Sequence, residues 1–150
     1  MKPRQAAALA ARLVVGAVLV YAGASKAAAP AEEFALVIQS YDVAPLSMAL
    51  PLAGLLPWLE LIVGWALLLG VETSTAAAAA VALFGAFLAA LGSVVARGIQ
   101  IPNCGCFGDA LHFTPTQALL FDFAMGALSW TAFRGGAGPA SLDSWLERGL

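Results

Sequence analysis

The 150-residue chain is 61% hydrophobic and only 11% charged, with a mean hydropathy of +0.88. A soluble domain of this length has too little interior to hide so much apolar surface, so lipid is expected to be the solvent for much of the chain. A net charge of −2 with no basic cluster excludes a nucleic-acid footprint, and there is no phosphate-cradling glycine loop, no serine–histidine triad pattern and no internal repeat.

Four segments approach the ~20 apolar residues that a helix needs to cross a hydrocarbon core. They are 6–28, 50–70, 75–95 and 115–133. Backbone groups in lipid must be satisfied internally, and unbroken apolar runs without period-two alternation select helices over barrel strands. The predicted fold is therefore all-α: a four-transmembrane-helix bundle over residues 1–134, followed by a break and a C-terminal segment over 135–150.

The first segment carries Lys2 and Arg4 ahead of its apolar run and Ala27-Ala28-Ala29 behind it, which also suits a cleaved secretory signal. Against cleavage, the run is longer than a signal core, and Arg12 and Lys26 near its two ends are expected to snorkel to the interfaces. Between the first two spans, Phe34, Val37, Ile38 and Tyr41 recur at helical spacing opposite Glu32, Glu33, Gln39 and Asp42. This pattern predicts a short amphipathic helix lying at the outer interface.

The second span contains Pro57, which frees a backbone carbonyl one turn earlier, and Glu60 three residues on. The third is rich in small residues, including Ala82, Gly85, Ala86, Ala89 and Gly92, that permit close helix approach. Thr114-Pro115-Thr116-Gln117 reads as a capping box with proline at the first helical position, opening the fourth span, which carries Asp122. After the break at Gly135-Gly136-Ala137-Gly138-Pro139, residues Leu142, Trp145, Leu146 and Leu150 share one face, with Trp145 as an interfacial anchor. Lys2, Arg4, Arg12, Arg134 and Arg148 fall on one side of the four spans, leaving Lys26 and Arg97 on the other. The basic side marks the cytoplasm, so both termini are expected there, in a cytoplasmic (inner) membrane, with the third connection outside.

That connection holds the chain's two cysteines, in Cys104-Gly105-Cys106-Phe107-Gly108. Residues two apart fall within the roughly 4.4–6.8 Å between alpha carbons that a disulfide spans, and the intervening glycine tolerates the backbone angles of so small a ring. A ring this short removes little entropy from the unfolded chain, so stapling is a poor account of it, whereas strained or exposed disulfides are the exchanging ones. Arg97, His112 and Lys26 are the nearby cations able to favour a thiolate. Glu60 and Asp122 are intramembrane acids, which either pair with Lys26, carry protons released on thiol oxidation, or fix helix register.

The expected chemistry is thiol–disulfide exchange at Cys104 and Cys106 with an extracytoplasmic partner. A membrane quinone, with Trp58, Trp65 or Phe107 lining its pocket, is the one cofactor considered. Two rival readings remain. One is a noncatalytic membrane subunit or assembly factor of a redox complex, whose cysteines stiffen a docking loop. The other is copper or zinc handling through Cys104, Cys106 and His112, whose spacing matches no strong zinc pattern.

Several of these stretches together resemble the MauE/DoxX family of redox-associated membrane proteins. Gly23-Ala24-Ser25-Lys26 is similar to the family's glycine, two residues, then lysine. Residues 34–45 resemble its short helix ending in a tyrosine and a proline, and Pro57, Glu60 and Gly64 resemble the motif of its second span. Cys104-Gly105-Cys106-Phe107-Gly108 resembles the thiol motif of the MauE branch. One position departs: Phe121 stands where a basic residue is expected before Asp122. The resemblance implies a four-helix protein that supports disulfide formation or thiol handling in extracytoplasmic partners, often beside a thioredoxin-like protein, with MauE linked to methylamine dehydrogenase maturation.

Overall fold

The structure, a computed structural model, describes residues 3–99, 101, 104, 113–136 and 141–149, and of Leu46 and residues 146–149 the backbone alone. Among the described residues six helices follow in chain order: α1 (Pro3–Ala27), α2 (Ala31–Ser40), α3 (Leu46–Leu69), α4 (Thr73–Ala96), α5 (Pro115–Gly135) and α6 (Leu142–Gly149). No strand occurs among the described residues.

The four long helices close a ring in which α1 packs on α3 and α5, and α4 packs on α3 and α5. Their shared core is built from Val15 and Leu19 of α1, Val63 and Leu67 of α3, Ala77, Ala80 and Phe84 of α4, and Met125 and Ala132 of α5. Helices α1, α3 and α4 are long and apolar enough to cross a membrane. Helix α5 has 21 residues, but Gln117, Asp122, Ser129 and Thr131 dilute its apolar character. Its polar residues are partly absorbed inward: Asp122 and Ser129 are buried, and Ser129 Oγ donates to the Met125 carbonyl at 2.8 Å.

The α1–α3 seam is the most extensive. A Cβ at Gly23 would stand 2.7 Å from the Pro57 carbonyl oxygen, and one at Gly64 would stand 2.9 Å from the Gly16 carbonyl oxygen. Glycines at these positions let two backbones approach in lipid, where packing replaces the hydrophobic effect as the driving force between helices. Pro51 and Pro57 both lie inside α3 without ending it.

Local sequence sets the helix ends. Pro30 and Pro45 precede α2 and α3, where a missing N–H removes no helical bond. At α5, Gln117 N–H donates to Thr114 Oγ1 at 3.4 Å while Thr114 N–H donates to Gln117 Oε1 at 3.1 Å, a complete capping box. Helix α4 is capped from a distance: Asp143 of α6 accepts from the backbone N–H groups of Glu72 and Thr73 and from the Thr73 hydroxyl, at 2.8, 2.9 and 2.8 Å.

One sequence expectation changes here. Arg12 does not snorkel: α1 begins at Pro3, so Arg12 lies well inside the helix, buried beneath the Gly70 turn and Ser141, with Asp143 supplying opposite charge nearby. Helix α6 is likewise held by the α3–α4 turn, through Asp143 and through its N–H bond to the Gly70 carbonyl at 3.1 Å. Its Leu142 and Trp145 stay exposed. Residues 137–140 of the break lie outside the described residues.

Candidate functional site: a buried ionic cavity beside Cys104

Helix α2 folds down over one end of the bundle instead of lying apart from it. Its Ala35 packs against Ala49 and Ala53 of α3, and its apolar face of Phe34, Val37 and Ile38, continued by Tyr41, roofs a partly open cavity of about 240 Å³. The face that makes α2 amphipathic is therefore spent on the interior of the bundle.

Among the described residues the cavity walls are almost wholly apolar, and charge enters at three points, one from each of α1, α3 and α5. Lys26 Nζ donates to both carboxylate oxygens of Glu60, each at 2.8 Å. Both residues are buried, as is Asp122, which interacts electrostatically with both and whose Oδ2 has no hydrogen-bond partner among the described residues. The Lys26 ammonium also lies 5.6 Å from the Phe34 ring centroid and 6.0 Å from that of Phe87, within cation–π range. Lys26 thus remains at the end of α1 without snorkelling, because a carboxylate and two ring faces replace water around its charge.

Cys104 lines the same cavity and is 2% exposed. It packs with Leu91 of α4 and Ala118 in the first turn of α5, flanked by Tyr41, Phe113 and Leu119. The Tyr41 hydroxyl donates to the Cys104 carbonyl oxygen. Behind Tyr41, Arg97 clamps the chain between α2 and α3, donating through Nη2 to the Tyr41 carbonyl at 2.5 Å and through Nη1 to the Asp42 carbonyl at 3.0 Å. Asp42 itself has a positive φ of 53°. Arg97 is thus engaged with the α2–α3 connection and with Ser93.

Lys26, Glu60, Asp122 and Cys104 come together around one space, although the chain separates the first and last by about half its length. Cys106, Phe107 and His112 lie outside the described residues. Among the described residues no three His, Cys, Asp or Glu side chains gather in a way that holds a metal ion. Trp58 and Trp65 do not line the cavity. They belong to an exposed stripe with Leu55, Ile62 and Leu69 on the outside of α3. The reason is rotational: at 100° per residue Trp58 points about 200° away from Glu60, so turning the acid inward turns the indole outward. The aromatic lining comes instead from Phe34, Phe84, Phe87 and Phe121. Their contribution had a sequence signal in the apolar face of α2 and in the α4 pair Phe84 and Phe87, spaced three apart.

The model of the methylamine utilisation protein MauE family matches residues 4–134, which takes in all five helices around the cavity. The chain belongs to the MauE family. A curated member, methylamine utilization protein MauE of Methylophilus methylotrophus, is 41% identical over 75 residues, a stretch covering 50% of this chain and 40% of that relative. The aligned part thus spans less than half of that MauE's length. No solved structure matches.

Proposed function

We propose that this MauE-family chain is a four-span membrane thiol–disulfide redox protein, with both termini cytoplasmic and Cys104 and Cys106 reacting at the outer face. The observation that carries this reading is the burial of Cys104 in the wall of a cavity that also holds Lys26, Glu60 and Asp122. A structural cysteine needs no ionisable groups around it, whereas proton-coupled thiol chemistry does. The amino end of α5, the end of a helix that favours negative charge, packs against Cys104. The methylamine-utilisation name of its relative fits a role in maturing a secreted redox enzyme, and a thioredoxin-like protein is the expected partner.

In the proposed exchange, a partner thiolate attacks one sulfur of the Cys104–Cys106 disulfide and breaks the S–S bond, forming a mixed disulfide. The partner's second thiol then displaces that bond. The partner leaves as a disulfide, and the Cys104/Cys106 pair retains two electrons and two protons as a dithiol. The reverse sequence reduces a partner.

The test is a redox titration of purified protein in lipid, with thiols counted by mass-tagged alkylation across glutathione or dithiothreitol potentials. The expected result is a reversible two-electron transition, tenfold in equilibrium constant per about 30 mV. A pair that stays reduced at every potential, or oxidises irreversibly, overturns the reading in favour of a noncatalytic subunit.

A further inference from the structure

The cavity is larger than the roughly 150 Å³ apolar voids that take up benzene, so it has room for a ring. Among the described residues its charge is confined to one cluster of Lys26, Glu60 and Asp122. Lys26 has three N–H bonds, of which two go to Glu60 and none to another described residue, which leaves one donor for a ligand. Asp122 presents Oδ2 with no partner although the residue is only 3% exposed, and a buried carboxyl oxygen left bare is expensive unless something completes it. The Lys26–Glu60 pair cancels its own charge, and a protonated Asp122 adds none, so the occupant needs no compensating charge of its own. The walls are aliphatic and phenyl, with Phe34, Phe87 and Phe121 contributed by three different helices.

These features describe a ligand that is flat, neutral and dissolved in the membrane, with one oxygen able to accept from an ammonium and one able to hydrogen-bond a carboxyl. We propose that the cavity binds the head of a lipid-soluble quinone or quinol: one oxygen accepts from Lys26 Nζ, the other accepts from a protonated Asp122 or, as a quinol hydroxyl, donates to Asp122 Oδ2, and the ring lies among the phenylalanines. Choosing a quinone over other carbonyl compounds rests on the redox reading above: a thiol pair that turns over needs a two-electron partner. The site differs from the one the tryptophans suggested, because Trp58 and Trp65 face away from it.

The experiment is equilibrium binding of a short-chain quinone, decyl-ubiquinone, to the full chain in nanodiscs. It is run with a photoreactive azido analogue whose attachment points are mapped by mass spectrometry. Wild-type protein is expected to bind saturably, with labelling on cavity residues. Asp122→Leu, which keeps the bulk and removes the oxygens, is expected to weaken binding about tenfold or more. Ala90→Trp, which fills the space from α4, is expected to abolish it. Trp58→Phe on the outer stripe is expected to bind as wild type. Monodisperse reconstitution and unchanged helical circular dichroism qualify each variant.

Non-saturable uptake, or labelling confined to the outer surface, overturns the proposal. So does loss with Ala90→Trp but none with Asp122→Leu, because the occupant is then an acyl chain that ignores the polar cluster. The binding measurement requires no thiol turnover. Failed binding with a reversible thiol titration removes only this inference, and saturable binding with an inert thiol pair removes only the exchange reading.

Discussion

Lys26 of α1 holds both carboxylate oxygens of Glu60 of α3 at 2.8 Å, in a part of the bundle where neither side chain reaches solvent. The pair joins the two helices that share the most extensive contact and forms one side of the polar cluster in the cavity. Removing one partner leaves the other charge buried without compensation, which typically costs about 3–5 kcal/mol, whereas replacing both with apolar residues of similar bulk is close to neutral. Lys26→Met and Glu60→Leu are therefore each expected to lower stability by about 3 kcal/mol, and the double variant to recover most of it. A double-mutant cycle on the reversible unfolding of the chain in mixed micelles checks this. Additive losses in the double variant would show that the two charges are stabilised independently.

Gly23 and Gly54 offer a matched contrast. A methyl at Gly23 would meet the Pro57 carbonyl oxygen at 2.7 Å, Leu61 Cγ at 3.0 Å and Glu60 Cβ at 3.1 Å, whereas one at Gly54 would meet nothing within 4 Å. The backbone oxygen cannot swing aside, so Gly23→Ala must part α1 from α3 and is expected to destabilise by about 1–3 kcal/mol. Gly54→Ala is expected to be neutral or to stabilise by up to about 1 kcal/mol, because alanine suits a helix interior better than glycine. Parallel melting of the two variants tests the α1–α3 geometry, and equal effects would contradict it.

How far the sequence disclosed this arrangement depends on the range of each interaction. Helix existence was legible because it is local: apolar run lengths marked the long helices, and Thr114 with Gln117 announced the start of α5. The inward face of α2 was legible as a stripe, but its destination was not, since a stripe of Phe34, Val37 and Ile38 suits a membrane interface as well as a cavity roof. Glu60 and Asp122 stood out as acids in apolar runs, yet pairing across 34 residues for Lys26–Glu60 is a property of helix packing. The capping of α4 by Asp143 spans 70 residues and left no local signal at all. The outward turn of Trp58 and Trp65 follows from helical period once Glu60 is known to face inward, and that fact comes only from the fold.

Asp143 gives the chain a defined acid response. The backbone N–H of Thr73, followed by the Thr73 hydroxyl and the Glu72 N–H, holds its carboxyl below the ordinary carboxylate value. A group depressed in the folded state contributes stability that is present above its unfolded value, about 3.9, and is lost as pH falls through its lower folded value. The attachment of α6 to the α3–α4 turn is therefore expected to be constant from about pH 5 to 8 and to weaken below about pH 4. Amide hydrogen exchange in the first turn of α4 reports the loss of the cap. Asp143→Asn is expected to exchange faster than wild type at pH 7 and to show little further change on acidification. A variant as strongly acid-dependent as wild type would assign the response to another carboxylate.

Tyr41 controls the position of Cys104 through the main chain. Its hydroxyl donates to the Cys104 carbonyl oxygen, while Arg97 holds the Tyr41 and Asp42 carbonyls from the end of α4. Tyr41→Phe removes the donor and keeps the ring that packs in the cavity roof, so the loss is that of one hydrogen bond, about 1 kcal/mol. If the buried Cys104 becomes reactive only when this segment lifts, that loss raises the open population about fivefold, and alkylation of the reduced Cys106→Ser variant by a small maleimide accelerates by the same factor. The rate is read against Tyr21→Phe, whose ring lies exposed on α1 away from the cavity and is expected to leave Cys104 labelling unchanged. Arg97→Ala releases the next layer, the Tyr41 carbonyl, and is expected to move the rate in the same direction. A Cys104 that labels at the wild-type rate in both Tyr41→Phe and Arg97→Ala would mean that its exposure is set from the α5 side, by Ala118 and Leu119.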